Sequence, residues 1–411
     1  MQFEQQLENY ANLLVVHGLN VQPGQIVNIS TEVIHRELAF LIAKKAYARG
    51  AKWVNIDLAE PRLEKERVKA SAEEDLKFVS RYIPIKYEEL VDSCAANLKL
   101  IGPEFPDILS DTDPKKLNLM RVQYRKALKY FYEEGIGKSK VHWTVAAAAT
   151  PAWGQKVFPH LNPEQACQEL WKNIFKMCRA DRADYLEAWK KHNETLHKRA
   201  KYLTDLQIKE LHFIGPETDL IVELSPRALF KGGTDTGARG VDYEPNIPTE
   251  ECFTTPDYRK TRGKVKVTRP FEINGIMIKD LHVEFKDGSI SYFKASEGEE
   301  TFREYINSDE GAKRLGEVAL VGIDSPIYQT GLVFEEILFD ENAACHIAVG
   351  SAYKFCIKDG DKLTDDECLL IGCNESTAHT DMMISSEEVD VIVSTYEGRK
   401  IKLIERGQWK I

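Results

Sequence analysis

The chain has no C-x-x-C pair, and its eight cysteines (94, 167, 178, 252, 345, 356, 368 and 373) are irregularly spaced. A zinc site built from Cys345, Cys356, Cys368 and Cys373 would lack the tight ligand pairs of structural zinc domains. Reduced, buried thiols are the better reading. No apolar stretch approaches the roughly 18 residues of a membrane helix. The run Val145-Ala146-Ala147-Ala148-Ala149 stops at Thr150-Pro151 and reads as one buried strand. The opening Met1-Gln2-Phe3-Glu4-Gln5-Gln6 has neither the basic nor the apolar segment of a secretory signal, so a soluble, cytoplasmic protein is expected. Basic blocks are also missing. Acidic residues outnumber basic ones, 65 against 55, for a formal charge of -10. That balance argues against nucleic acid and against a membrane surface as partners. It leaves a surplus of carboxylates, the raw material of hard-metal sites.

Several catalytic motifs fail in turn. Gly135-Ile136-Gly137-Lys138-Ser139 looks like the end of a P-loop, but Tyr132 stands where the first glycine is needed, and a strand follows instead of a helix. No G-x-G-x-x-G follows the first strand, and H-E-x-x-H and G-x-S-x-G are both missing.

What is present is an ordinary globular composition, 43% apolar and 29% charged, over 411 residues. At roughly 150 residues per domain that length predicts two domains. The first half alternates. Leu7, Tyr10, Ala11, Leu14 and Val15 keep helical spacing, then strands are expected at 25–29, 53–58, 98–101 and 141–149. Helices are expected at 37–49, 87–97 and 114–133, and from Pro163 to about Leu206 the pattern is helical and Lys-rich. Strand–helix–strand order predicts an α/β domain with a mostly parallel sheet. Beyond Leu206 the period changes to two. Lys264-Val265-Lys266-Val267 alternates, and Asp287-Gly288 and Glu397-Gly398 each join a pair of strands. The second half is therefore expected to be a mainly antiparallel β (α+β) domain with one helix near 299–314. The expected division is 1–206 and 207–411.

Acidic and histidine residues concentrate in that second half. His379 and Asp381, two apart, would share one face of a strand and make a half-site for a borderline divalent ion. Glu317 interrupts the apolar Val318-Ala319-Leu320-Val321, and an unpaired buried carboxylate costs several kcal/mol, so it is exposed or compensated by a cation. Glu341 and His346 lie five apart across Asn342-Ala343-Ala344, and Glu250-Glu251 adds an acidic pair upstream. Each has a plainer reading: a surface pair for His379 and Asp381, an Arg314 partner for Glu317, a solvated edge for Glu250-Glu251. Together they match the ligand count of a two-metal hydrolase. Spacing alone goes no further.

The four segments Pro248-Thr249-Glu250-Glu251-Cys252-Phe253, Leu315–Leu320, Phe339–Tyr353 and His379-Thr380-Asp381 read P-T-E-E-x-F, L-G-E-V-A-L, F-D-E-N-A-A-C-H-I-A-x-G-x-A-Y and H-x-D. They resemble the signature of the M29 metallo-aminopeptidases, the aminopeptidase T, S and PepS type. The likeness spans nearly the whole chain, including Thr150-Pro151-Ala152-Trp153. It departs at Cys252, where the family often has valine, and between Arg227 and Arg239. The resemblance implies removal of N-terminal residues from peptides with a free N-terminus, two divalent ions per subunit, and a homodimer. Zinc or cobalt are the first choices, manganese or magnesium the harder alternatives. It implies Glu251, Glu317, Glu341, His346, His379 and Asp381 as ligands, Glu317 shared and catalytic, and Tyr353 as the catalytic tyrosine. A phosphoesterase, which would need a cationic phosphate clamp, and a metal-stabilised scaffold without activity are the competing classes.

Overall fold

The computed structural model describes residues 1–411, the side chain of Asp361 excepted. The chain divides into two compact units, Met1–Glu194 with Gly233–Thr249, and Thr195–Gly232 with Glu250–Ile411. One division falls inside the helix Tyr185–Asp205. The later return differs from a single boundary near 206, and its cause is local. Asn246–Ile247 pairs in parallel with Val145 and Ala146 and becomes the edge strand of the first unit's sheet.

That sheet has five parallel strands in the order Trp53–Ala59, Ile26–Glu32, Ala96–Ile101, His142–Ala147, Asn246–Ile247. Strands of such a sheet are covered on both faces, and Val27, Ile29, Leu98, Leu100, Ala146 and Ala147 are all buried. Proline marks helix starts. Pro61, Pro114, Pro151 and Pro163 each occupy the first turn, where their missing N–H costs nothing. The caps before them are Glu60, Asp113, Thr150 and Asn162, each accepting a backbone N–H through its side chain. The expected helix over 87–97 lies earlier, at Tyr82–Asp92; Cys94 turns at φ 48° and the next strand begins at Ala96.

The second unit contains an eight-stranded sheet and a four-stranded one. In the larger sheet, His282–Lys286 and Ser289–Lys294 pair antiparallel around Asp287 and Gly288, both at positive φ as a tight hairpin turn demands. Asp390–Thr395 and Lys400–Glu405 pair the same way around Glu397-Gly398. The expected helix near 299–314 is shorter, Glu299–Ile306, followed by a 3-10 turn at Gly311–Lys313. Asp309 starts that turn by accepting the N–H groups of Gly311 and Ala312 at 3.0 and 2.9 Å. The smaller sheet is fully antiparallel, in the order Cys252–Thr254, Leu315–Leu320, His346–Gly350, His379–Met383. It carries the site.

Candidate metal centre

Register explains how this small sheet collects its ligands. Glu317 pairs with Ala348, and Ala348 with Asp381, so these three form one row across three strands. Side chains two apart share a face. His346, beside Ala348, and His379, beside Asp381 and paired with Gly350, therefore project from the same face as Glu317. Phe253 pairs with Ala319, which puts Glu251 on the same parity. The neighbours in between, Ala319, Ala348 and Gly350, are small and leave room above them. Val318, Leu320, Ile347, Val349 and Met382 point the other way, into the hydrophobic core.

Gly316 makes the parity work. The register shifts between Leu315 and Glu317, so Leu315 pairs with Val349 on the core side while Glu317 turns to the ligand side. A Cβ on Gly316 would lie 2.3 Å from Ser351 O and 2.4 Å from Gly350 O. Gly350, at φ 103°, is equally constrained, its added Cβ falling 2.1 Å from Ala378 O.

Both histidines are oriented by carbonyls. His346 Nδ1 lies 3.0 Å from Glu341 O and 3.1 Å from Ala344 O, and His379 Nδ1 lies 2.9 Å from Ser351 O. A carbonyl only accepts, so each Nδ1 carries hydrogen and Nε2 is the atom left to meet a cation or to take a second proton. Each Nε2 faces carboxylate oxygens. His346 Nε2 is 3.0 Å from Glu251 Oε2 and 3.9 Å from Asp381 Oδ1; His379 Nε2 is 3.3 Å from Glu317 Oε2 and 4.0 Å from Asp381 Oδ1. Asp381 Oδ1 is buried without a hydrogen-bond donor, and Glu251 Oε2 is met only by His346 Nε2 when that nitrogen is protonated. Acceptors converging in a buried place need a cation or protons between them.

Among the described residues, two groups have ligand atoms mutually within 4.8 Å: Glu251, Glu317 and His346, and Glu317, His379 and Asp381. Glu317 belongs to both. Neither group contains a cysteine, and of the adjacent glutamates it is Glu251, not Glu250, that takes part. Glu341 is in neither triad. It is buried nearby, within the electrostatic reach of Asp381, Glu251 and Glu317. The residue types, imidazole nitrogens backed by carbonyls and mixed with carboxylates, fit a borderline divalent metal.

The titrations all point towards uptake of positive charge. Burial, reinforced by Asp381 and Glu251, pushes Glu317 up to about 7. Burial raises Glu341 well above the carboxylate range, with the same neighbours adding to it. For His346, burial opposes the charged form, but Glu251, Asp381 and Glu317 together outweigh it and raise the group to about 10. His379 is raised too, burial being outweighed by Glu317 and Asp381. Groups raised on folding stabilise the fold below their unfolded values and lose that contribution as pH climbs through the folded ones. The metal-free protein is therefore expected to melt at progressively lower temperature from pH 4.5 to about 7, Glu317's window. The decline continues upward through that of His346, and added zinc should flatten it. Ion-paired carboxylates held low, such as Asp257 beside Arg259, titrate below this range and do not mask it. Melting curves across pH with and without zinc decide the point; equal slopes would refute it.

Tyr353 completes the face. Its hydroxyl is 3.2 Å from His379 Nε2, and its ring stacks on Phe355 at 4.9 Å with Phe253 at its edge. Burial, with the charges of Glu317, Asp381, Glu341 and Glu251, raises its pKa well above the ordinary value, so it keeps its proton.

Supporting residues were less visible in the sequence. Tyr305 brackets His379, its hydroxyl accepting from His379 N at 2.8 Å and donating to His379 O at 2.9 Å. Asp309 accepts from Thr377 N and Thr377 Oγ1, both at 2.7 Å, two residues before the histidine. Half-buried Arg269 pairs with buried Asp340 at 3.1 Å, and Asp340 also accepts from Phe334 N, which shapes the turn leading to Glu341. Only Asp340 and Asn342 carried any signal, through their place in the F-D-E-N block.

Comparison with known proteins adds an independent line. The family model described as thermophilic metalloprotease (M29) matches residues 3–409. Aminopeptidase PepS of Streptococcus thermophilus is 36% identical over 410 residues, covering 100% of this chain and 99% of that protein. Aminopeptidase 2 of Geobacillus stearothermophilus is 37% identical over 407 residues, with 99% and 98% covered. The solved structure of wild-type AmpT from Thermus thermophilus superposes with a TM-score of 0.89 at 36% identity, with 100% of both chains covered.

Proposed function

The chain is a metallo-aminopeptidase belonging to the thermophilic metalloprotease (M29) family, and we propose that it works with two divalent ions per subunit to release the N-terminal residue of peptides. The observation that supports this best is the pair of triads sharing Glu317. Glu251, Glu317 and His346 would hold one ion, and Glu317, His379 and Asp381 the other, with Glu341 beside them as the sixth ligand. Their chemistry suits zinc or cobalt better than manganese or magnesium. Ions bound there supply Lewis acidity to the scissile carbonyl and to an attacking water.

The chain's own groups supply the rest. Tyr353, held protonated, donates its hydroxyl hydrogen to the oxygen that gains charge as the carbonyl carbon becomes tetrahedral. A free α-amino group would bind one of the ions or a nearby carboxylate, which would account for cleavage at the N-terminus. Proton transfer to the leaving amine falls to Glu317 or Glu250. A phosphate clamp finds no support in Arg269, whose guanidinium is committed to Asp340 and Leu332 O.

Release of several amino-acid anilides before and after chelation is the test. Chelation is expected to abolish turnover, and zinc, cobalt or manganese to restore it, while a phosphate monoester stays intact throughout. Full turnover by metal-free protein would end the reading.

We also propose a two-fold homodimer in the cytoplasm, the compartment favoured by eight free thiols. The edge strand Trp53–Ala59 exposes Trp53 and Leu58, and the helix Arg36–Ala48 exposes Phe40 and Tyr47, apolar surface that a partner copy would cover. Light scattering at micromolar concentration should give twice the 46.8 kDa chain mass; a monomer would contradict this.

A further inference from the structure

Asn342 is wholly buried in the 3-10 turn Glu341–Ala343, and its side chain is fully engaged. Its Oδ1 accepts the backbone N–H of Glu250 at 2.7 Å. Its Nδ2 donates to Leu338 O at 2.9 Å and to Glu341 Oε1 at 3.3 Å. The amide cannot be turned over. Rotation by half a turn would set an NH₂ against the Glu250 N–H and an oxygen against both the Leu338 carbonyl and the Glu341 carboxylate. Its backbone is anchored as well, Asn342 O accepting from Ser325 Oγ at 2.6 Å. One rigid side chain thus ties two segments far apart in sequence, the one entering Glu251 and the one carrying Glu341.

The opposite side of the centre is held by different residues. Tyr305, Asp309 and the carbonyl of Ser351 fix His379, and none of the contacts of Asn342 reaches them. We infer that Asn342 is a positioning residue that holds Glu251 and Glu341 in register and thereby sets the affinity of one ion independently of the other. The inference rests on the two-ion reading. Asn342 touches neither substrate nor reacting atoms. Its effect runs through the two glutamates.

Asn342→Asp is the sharpest probe. It keeps the shape and can still accept from Glu250 N–H, but it replaces the attractions to Leu338 O and Glu341 with repulsions. Asn342→Ser, a gentler truncation that adds no charge, is the second variant. Metal-free wild type and both variants are titrated with cobalt, following the visible absorption bands of the bound ion, and the melting temperature of each metal-free protein is recorded. Wild type should show two steps per chain. In the variants one step should weaken by about 10- to 100-fold, the usual loss when a ligand's supporting hydrogen bond is removed, and the other should stay within about threefold. Two unchanged steps would overturn the inference. So would equal weakening of both steps in proportion to a lowered melting temperature, which marks a general packing role. Wild type that takes up fewer than two ions refutes the two-ion reading itself, before any variant is compared.

Discussion

Tyr353→Phe is expected to lower kcat by about 100-fold or more while metal content and KM stay near wild type, the usual loss for one oxyanion donor. The substitution removes one hydroxyl and little else. The ring contacts with Phe355, Phe253 and His379 are made by carbons that phenylalanine keeps. Stability should therefore hold, apart from the hydrogen bond to His379 Nε2 at 3.2 Å. What is lost is a proton held in place. Half-buried among carboxylates, the phenol stays un-ionised, so towards an oxygen that gains negative charge it acts as donor, and it is worth most when that charge is largest. Its loss should appear in kcat and not in KM. Near-normal turnover by the variant would leave Tyr353 as a packing residue. Loss of activity only in step with loss of metal would make it a support for His379.

The candidate ligands were legible in sequence because the chemistry is unusual for its surroundings. Glu317 stands out in an apolar strand, and His379 and Asp381 declare a shared face by their spacing. The order of strands and helices conveyed the parallel first sheet, and the alternation of apolar and polar residues the antiparallel hairpins. What could not be read is whatever depends on register between distant segments. The shift at Gly316 that sends Leu315 to the core and Glu317 to the ligand face needs the partner strand to be known. The return of Asn246–Ile247 to the first sheet involves two residues and has no periodicity to detect. The helix Pro61–Ala70 is strongly polar and buries only Val68, so its apolar signal is weak, although Glu60-Pro61 is a serviceable start. Tyr305 and Asp309 look like any surface helix and turn until the loop before His379 folds onto them. Glu341 is the reverse case, prominent in sequence yet outside both triads.

Glu317→Gln should act on a different quantity from Tyr353→Phe. It is expected to weaken both ions together, by about 10²–10⁴-fold each, the equivalent of ~3–5 kcal/mol for removing one partner from a buried charged pair. The reason is position. Glu317 is the member common to both triads, and its row with Ala348 and Asp381 puts it in the middle strand pairings of the sheet. Glutamine has the same shape, so the strand and its bulge should survive. Its amide can still hydrogen-bond His379 Nε2, the atom 3.3 Å from Glu317 Oε2, through its oxygen if the ring is protonated, and so keeps that contact without a carboxylate charge. The same change removes a carboxylate that burial pushes up to about 7. Metal-free Glu317→Gln should therefore be more stable than metal-free wild type above neutral pH, and its melting temperature should depend less on pH. A variant that binds metal poorly and yet melts higher when metal-free separates a lost ligand from a damaged fold. Metal analysis and melting curves of Glu317→Gln and Tyr353→Phe, run side by side, give the result. Retention of one ion by Glu317→Gln at wild-type affinity would show that Glu317 serves a single site, and the shared-ligand arrangement would have to be abandoned.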